Sequence, residues 1–181
     1  MSRREQIIKE AEDRARVGGY GHFSFREIAD AIGIKSASVH YHFPTKADLG
    51  AELARQYTEK FMLSLENASS ESDENSPSAL DVFAQQFRHS LVVDKKMCLC
   101  GMLGAESDAL PEAVQQETKA FFEKNIEWLT RALTDEQSLT AEQAHQKAIK
   151  AISILEGALL LSRTLGDNSA FDLATDQLDQ L

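Results

Sequence analysis

Two cysteines one residue apart, Cys98 and Cys100, and five histidines, His22, His40, His42, His89 and His145, hold most of the reactive and metal-binding chemistry in this chain. Their spacing excludes much of it. Two thiols cannot build a disulfide framework, and no histidine stands at a zinc-ligand interval from them. Cys-x-Cys, even with His89 nearby in sequence, is a poor spacing for a redox dithiol. No nucleophile has a base and an orienting group around it, and no glycine-rich loop cradles a phosphate. The sequence therefore predicts a non-enzyme with no cofactor, no metal and no catalytic residues. One reactive reading stays open for the cysteines. Lys95 and Lys96 lie beside them and a helix start is expected there, and both features lower a thiol pKa, as an oxidant or electrophile sensor requires. The alternative is that they are small buried hydrophobes.

A second group of residues has types suited to binding. Lys35-Ser36-Ala37-Ser38-Val39-His40-Tyr41-His42-Phe43-Pro44-Thr45-Lys46 contains a short helix, Ser36–Phe43, ended by Pro44. On a helical wheel Val39 and Phe43 fall one turn apart, facing inward onto Ile28 and Ile32. The opposite arc holds Ala37, Ser38 and Tyr41, with His40 and His42 at its flanks. That arc is small or polar and suits the DNA major groove, which is about 12 Å wide and admits one helix. Lys46 opens the next helix and is placed for a phosphate. With Ser24 and Lys35 these are the candidate DNA contacts: Ser24, Lys35, Ser36, Ala37, Ser38, His40, Tyr41, His42 and Lys46. The helix lacks Arg, Asn and Gln, which read bases bidentately, so readout leans on Ala37 against a thymine methyl, on hydroxyls and on DNA shape.

The elements that position this arc are legible from their start signals. Ser2-Arg3-Arg4-Glu5 is a capping box followed by the stripe Ile7, Ile8, Ala11, Ala15. Gly18-Gly19-Tyr20-Gly21 stops that helix. Ser24-Phe25-Arg26-Glu27 is a second box, with Phe23 and Ile28 set as a hydrophobic staple, and Gly33 supplies a left-handed end. Thr45-Lys46-Ala47-Asp48 opens a helix to about Asn67. Residues 68–78 are polar and read as a loop. Ser76-Pro77 is a cap and first-position pair for a helix to about Val93. A short helix follows near 98–107, one from Pro111 to about Leu133, one from the Thr140-Ala141-Glu142-Gln143 box to about Leu165, and a last amphipathic helix. No strand or repeat is expected. The fold class is all-α, with about nine helices. A helix-turn-helix domain spans 1–60, and a second helical domain spans 61–181.

Taken together, Phe25 to Ile34 and then Ser36 to Leu49 resemble the TetR family of bacterial repressors, without a gap in spacing from the first helix to Lys46 and Leu49. The resemblance covers about residues 3–60. It implies that Ser36, Ala37, Ser38, His40 and Tyr41 face the groove and its phosphates and that Lys46 holds the backbone. His40 departs from the pattern, which usually has tyrosine there; a histidine titrates near neutral pH, so operator binding is expected to be pH-sensitive. The resemblance further implies that 61–181 is an effector-binding and dimerisation domain. It also implies a homodimer on a near-palindromic double-stranded operator, since one recognition helix reads too little DNA. The interface would form from the stripe Ala151, Ile154, Leu155, Ala158, Leu161 and Leu165, with Phe171, Leu173, Leu178 and Leu181 of the last helix. In the alternative that stripe packs only within its own subunit. An effector pocket for a small hydrophobic or electrophilic molecule is implied among Phe61, Leu65, Phe83, Phe87, Cys98, Met102, Phe121, Phe122 and Trp128. Release would come from that effector or from thiol modification.

Bulk composition is compatible with this. The chain has 181 residues, 43% hydrophobic and 27% charged, a globular balance. Its net charge of −10 hides an asymmetry: residues 1–60 hold ten Lys/Arg and nine Asp/Glu, the remainder nine and twenty. Local cations, not the whole-chain sum, displace counterions from phosphates. The N-terminus lacks the apolar run of a signal peptide, and the longest apolar run, Ala158–Leu161, cannot span a bilayer. A cytoplasmic location and no membrane partner are expected. On the helix pattern alone, a helical interaction module that touches no DNA also fits.

Overall fold

The computed structural model describes residues 1–69, 77–176 and 178–180. They form α1 (Arg3–Gly18), α2 (Phe25–Ala31), α3 (Ser36–His42), α4 (Lys46–Ser69), α5 (Ala79–His89), α6 (Leu99–Ala105), α7 (Glu112–Gln137), α8 (Ala141–Leu165) and α9 (Ser169–Thr175). Short 3-10 turns lie at Tyr20–His22, Ser107–Ala109 and Leu178–Gln180. No strand occurs among the described residues, so the all-α expectation holds. Of the loop expected over 68–78, residues 70–76 fall outside the described residues, as do the Ser76 cap and Leu181, while Ala68 and Ser69 belong to α4.

Capping chemistry sets most helix starts. Ser2 with Glu5, and Thr140 with Gln143, form reciprocal boxes, each satisfying orphan amides at both ends of the first turn. Thr45 and Asp48 do the same for α4. Ser24 Oγ accepts from the Glu27 amide and donates to the Glu27 carboxylate. The start of α5 differs from the sequence expectation. Its cap is Ser78, paired with Asp81, rather than Ser76-Pro77. Only Ser78 has an acid three residues on, and the reciprocal bond decides the boundary. The same helix stops at His89, passes into a π turn over Ser90–Asp94, and ends on Lys95 at φ 54°. The last helix has seven residues and does not fill the C-terminus.

By packing, the chain forms two units: Met1–Glu59 with Leu99–Phe121, and Lys60–Cys98 with Phe122–Leu181. A cut after residue 60 assigns Leu99–Phe121 to the second domain, whereas the packing places it in the first, where α6 lies against α1. In the first unit α1 buries Ile7, Ile8, Ala11 and Ala15, the stripe expected from its spacing. α2 and α3 pack on each other, burying Phe25, Ile28, Ala29 and Val39, and the staple residue Phe23 is buried beside them. In the second unit α5 packs on α8, and α8 on α9, around Leu80, Phe83, Phe87, Leu155, Leu159 and Phe171.

Candidate nucleic-acid interface

The turn between α2 and α3 is made possible by Gly33, at φ 68°. A side chain there would meet nothing within 4 Å, so the demand on this position is backbone conformation, not space. The Ile34 amide then closes back onto the Ala29 carbonyl at 2.9 Å, and α3 begins at Ser36. It ends at His42 because Phe43, preceding Pro44, takes an extended conformation (φ −137°, ψ 104°). Val39 is fully buried and Phe43 is 3% exposed, the inward face expected from the wheel.

The outward face is equally clear. Lys35, Ala37, His40 and Tyr41 are exposed, Tyr41 at 85%, and Ser36, Ser38 and His42 are half-buried at its edges. The Tyr41 ring stands edge-on to its neighbour His42, 5.2 Å between centroids, and is otherwise set out for contact. His40 lies edge-on to Phe25, ring centroids 4.6 Å apart, with Nδ1 3.4 Å from the Pro44 carbonyl oxygen. Its ring is thus held against the end of α3. Ser24 serves its own helix as N-cap.

Lys46 does not extend freely into solvent. Its Nζ sits over the rings of Tyr20 and Phe23, 4.4 and 4.6 Å from the centroids. Burial against these rings lowers its pKa, while Glu106 and Glu27 pull it upward. The ammonium is therefore held over these two rings.

Arg4 and Glu52 fasten this arrangement together, and spacing in the sequence gives no sign of them. The Arg4 guanidinium lies over the Phe43 ring at 5.1 Å and donates to Glu52 at 2.6 Å. Arg55 and Gln56 donate to the same carboxylate. Burial tends to raise the Glu52 pKa, but these bonds outweigh it and hold the carboxyl at about 2. Glu52 thereby joins α1 to α4, and Arg4 carries the contact on to Phe43 at the end of α3.

A small helix on a braced turn, with an outward arc of small and polar side chains, is the helix-turn-helix plan. The family described as "Bacterial regulatory proteins, tetR family" matches residues 7–53, and "Transcriptional regulator LmrA/YxaF-like, C-terminal domain" matches residues 56–177. The chain belongs to the TetR family. A TetR-family transcriptional regulator from Legionella pneumophila is 36% identical, with TM-score 0.90 over 99% of this chain and 97% of that one. One from Agrobacterium tumefaciens is 28% identical, with TM-score 0.88 over 98% and 96%. The uncharacterized HTH-type regulator YxaF of Bacillus subtilis is 26% identical over 98% of this chain and 94% of its own length. Among the described residues no helix of this transcriptional regulator is long and apolar enough to cross a membrane.

The body of this TetR-family chain distributes the other candidate residues in ways the sequence did not foretell. Phe61, Phe83, Phe87 and Trp128 form one buried aromatic cluster, with ring centroids 5.5–6.2 Å apart. Leu65 is fully buried, and Phe122 is half-buried. Phe121 pairs with Tyr57 in the first unit, and Met102 lies on α6 of that unit. A cleft of about 180 Å³ lies at Asp81, Gln85, Arg88 and Phe171. Ligand pockets run to roughly 300–1,000 Å³, so this cleft is too small for a drug-sized effector.

Cys98 and Cys100 are buried thiols outside any disulfide, 1% and 0% exposed, as the packing alternative requires. Cys98 has a partner that sequence spacing could not reveal. Its thiol donates to Glu156 of α8, whose carboxyl burial pushes up to about 7 against the lowering effect of that bond. Oε1 of Glu156 is buried and accepts no hydrogen bond.

The residues of the expected interface stripe divide between the chain's own core and its surface. Ala151, Leu155, Ala158, Phe171 and Leu178 are buried within the chain's own second unit, and Ile154 is half-buried. Of the α8 stripe only Leu161 and Leu165 remain exposed, at 54% and 66%. Also exposed are Leu160 (55%), which the expected stripe leaves out, and Leu173 (78%), expected only as an addition from the last helix. α8 is apolar on two faces. The more regular of its stripes is the one its own core takes, and the outward face is rotated from it.

Proposed function

We propose that this TetR-family regulator is a repressor that binds a near-palindromic operator as a homodimer and lets go when a small hydrophobic effector binds its second unit. The observation that carries the DNA-binding part is the split of α3: Val39 buried at 0% and Tyr41 exposed at 85%, two residues apart on a seven-residue helix. The outward Tyr41 gives that face a large side chain with an apolar ring and a polar tip, suited to contact with another surface. In this reading α3 lies in the major groove. Lys35, Ser36, Ala37, Ser38, His40, Tyr41 and His42 meet bases and adjacent phosphates, Ser24 approaches the backbone from the start of α2, and Lys46 takes a phosphate. The exposed leucines of α8 and α9 meet the same face of a second copy. Release is assigned to a small molecule rather than to direct thiol oxidation, because both thiols are buried.

Operator selection from random duplex, repeated with candidate effectors, tests the reading. A pair of half-sites about one or more helical turns apart supports it. Tyr41→Ala should then weaken the selected site roughly 30-fold, from about 1 kcal/mol lost at each of two half-sites, without lowering the melting temperature. If the substitution leaves affinity unchanged, Tyr41 does not meet the operator.

A further inference from the structure

The cation expected to hold the operator backbone stands over a ring whose own backbone amide is held by an acid of this chain. Glu106 follows α6, far in sequence from the helix-turn-helix, yet its Oε2 accepts the backbone amide of Tyr20 at 3.1 Å. Tyr20 is one of the two rings beneath the Lys46 ammonium, so the carboxylate and the ammonium meet the same residue, and the charges of Glu106 and Glu27 both favour the ammonium's charged form. The fit around this contact is close. A Cβ on Gly19, which holds φ 77°, would stand 1.7 Å from Glu106 Oε1. A Cβ on Gly50 would stand 2.7 Å from the Tyr20 ring and 3.0 Å from Val114. Two glycines thus leave room for one carboxylate and one ring.

We infer that Glu106 is an internal competitor for Lys46: its carboxylate attracts the ammonium that a DNA phosphate must otherwise engage, and so holds generic affinity for duplex down. The chemistry is that of one anion in place of another. A carboxylate and a phosphate oxygen draw on the same donors, an ammonium and a backbone amide. The carboxylate also adds negative charge beside incoming phosphates, which opposes binding most at low salt. Glu106 itself touches no DNA. It is a positioning residue that acts through Lys46 and the Tyr20 shelf. The inference rests on the reading that Lys46 meets a phosphate.

Glu106→Gln separates charge from packing, because a glutamine carbonyl can still accept the Tyr20 amide. Binding of a fluorescein-labelled random-sequence duplex is followed by anisotropy across salt for wild type, Glu106→Gln, Lys46→Ala and the double variant. Glu106→Gln is expected to bind about threefold more tightly at low salt, the size of an exposed charge-pair effect, with the gain fading as salt rises. In the Lys46→Ala background the same change should do much less. Equal tightening in both backgrounds, or none in wild type, overturns the inference while leaving DNA binding intact. A Lys46→Ala chain that binds as wild type, or a wild type with no duplex affinity, removes the parent reading and this inference with it. A Glu106 that served only to pack the turn would leave the glutamine variant indistinguishable from wild type.

Discussion

Leu161→Asp is expected to run as a monomer and to bind a two-half-site operator at least about 100-fold more weakly than wild type. The expectation follows from what one chain leaves uncovered. Leu160, Leu161, Leu165 and Leu173 are each more than half exposed, on α8 and the following α9. Full burial of a leucine is favourable by about 1.5–3 kcal/mol, so a second copy covering these side chains gains substantially from them. A carboxylate in that interface would be buried without a partner, and the cost of desolvating it exceeds what the leucine supplied. The weaker affinity then follows because two half-sites act together only while their heads are joined. The folded chain itself should survive, since Leu161 stands outside its own core. Light scattering after gel filtration reads the mass, and thermal melting reads the fold. A dimer of unchanged mass would place the interface elsewhere. Leu155→Asp makes the contrast: Leu155 is fully buried, so that variant should lose the fold rather than the dimer.

Glu156→Gln should stabilise the protein above neutral pH and flatten its pH dependence. Burial lifts this carboxyl to about 7 from its ordinary 4.5, with the Cys98 thiol pulling the other way. A group whose folded pKa lies above its unfolded one contributes fully below the unfolded value, and that contribution is lost as pH rises through the folded value. Wild-type stability should therefore decline between about pH 4.5 and 7 from this group and stay reduced above it. The full shift corresponds to about 3 kcal/mol, an upper figure because the fold relaxes around an ionised carboxylate. Glutamine has the same shape and never ionises. At about pH 8 it should raise the melting temperature by several degrees, about 4–8 °C for 2 kcal/mol in a chain of this size, and at about pH 4.5 the difference should be small. Melting curves that run parallel from about pH 4.5 to 8 would mean that Glu156 ionises without cost.

How much of this was legible in the sequence depends on whether a feature is local. Capping boxes involve residues three apart, so Ser2/Glu5, Thr45/Asp48 and Thr140/Gln143 could be read directly, as could the glycine at the turn before α3. The inward pair Val39 and Phe43 follows from a single helical turn. The end of α5 was not legible, because the π turn and left-handed Lys95 arise where the chain leaves α8's surface, not from a local stop signal. Pairings between distant residues were also out of reach. Arg4 to Glu52 spans 48 positions and Tyr20 to Glu106 spans 86, and no periodicity relates them. The α8 stripe shows a third kind of limit. A helix apolar on two faces implies that both are covered, but not which is covered by its own chain. For that reason Ala151, Leu155 and Ala158 proved internal while Leu160 and Leu173 remained outside.

The most direct test of DNA binding through this head is the salt dependence of duplex binding by the whole chain, with Lys46→Ala alongside. If the head grips DNA through α3 and a phosphate through Lys46, affinity for generic duplex should fall steeply as salt rises. The logarithmic slope should then be shallower in Lys46→Ala by roughly one unit for each phosphate that is no longer neutralised. No binding at low salt, or a slope that Lys46→Ala leaves unchanged together with the affinity, would contradict it.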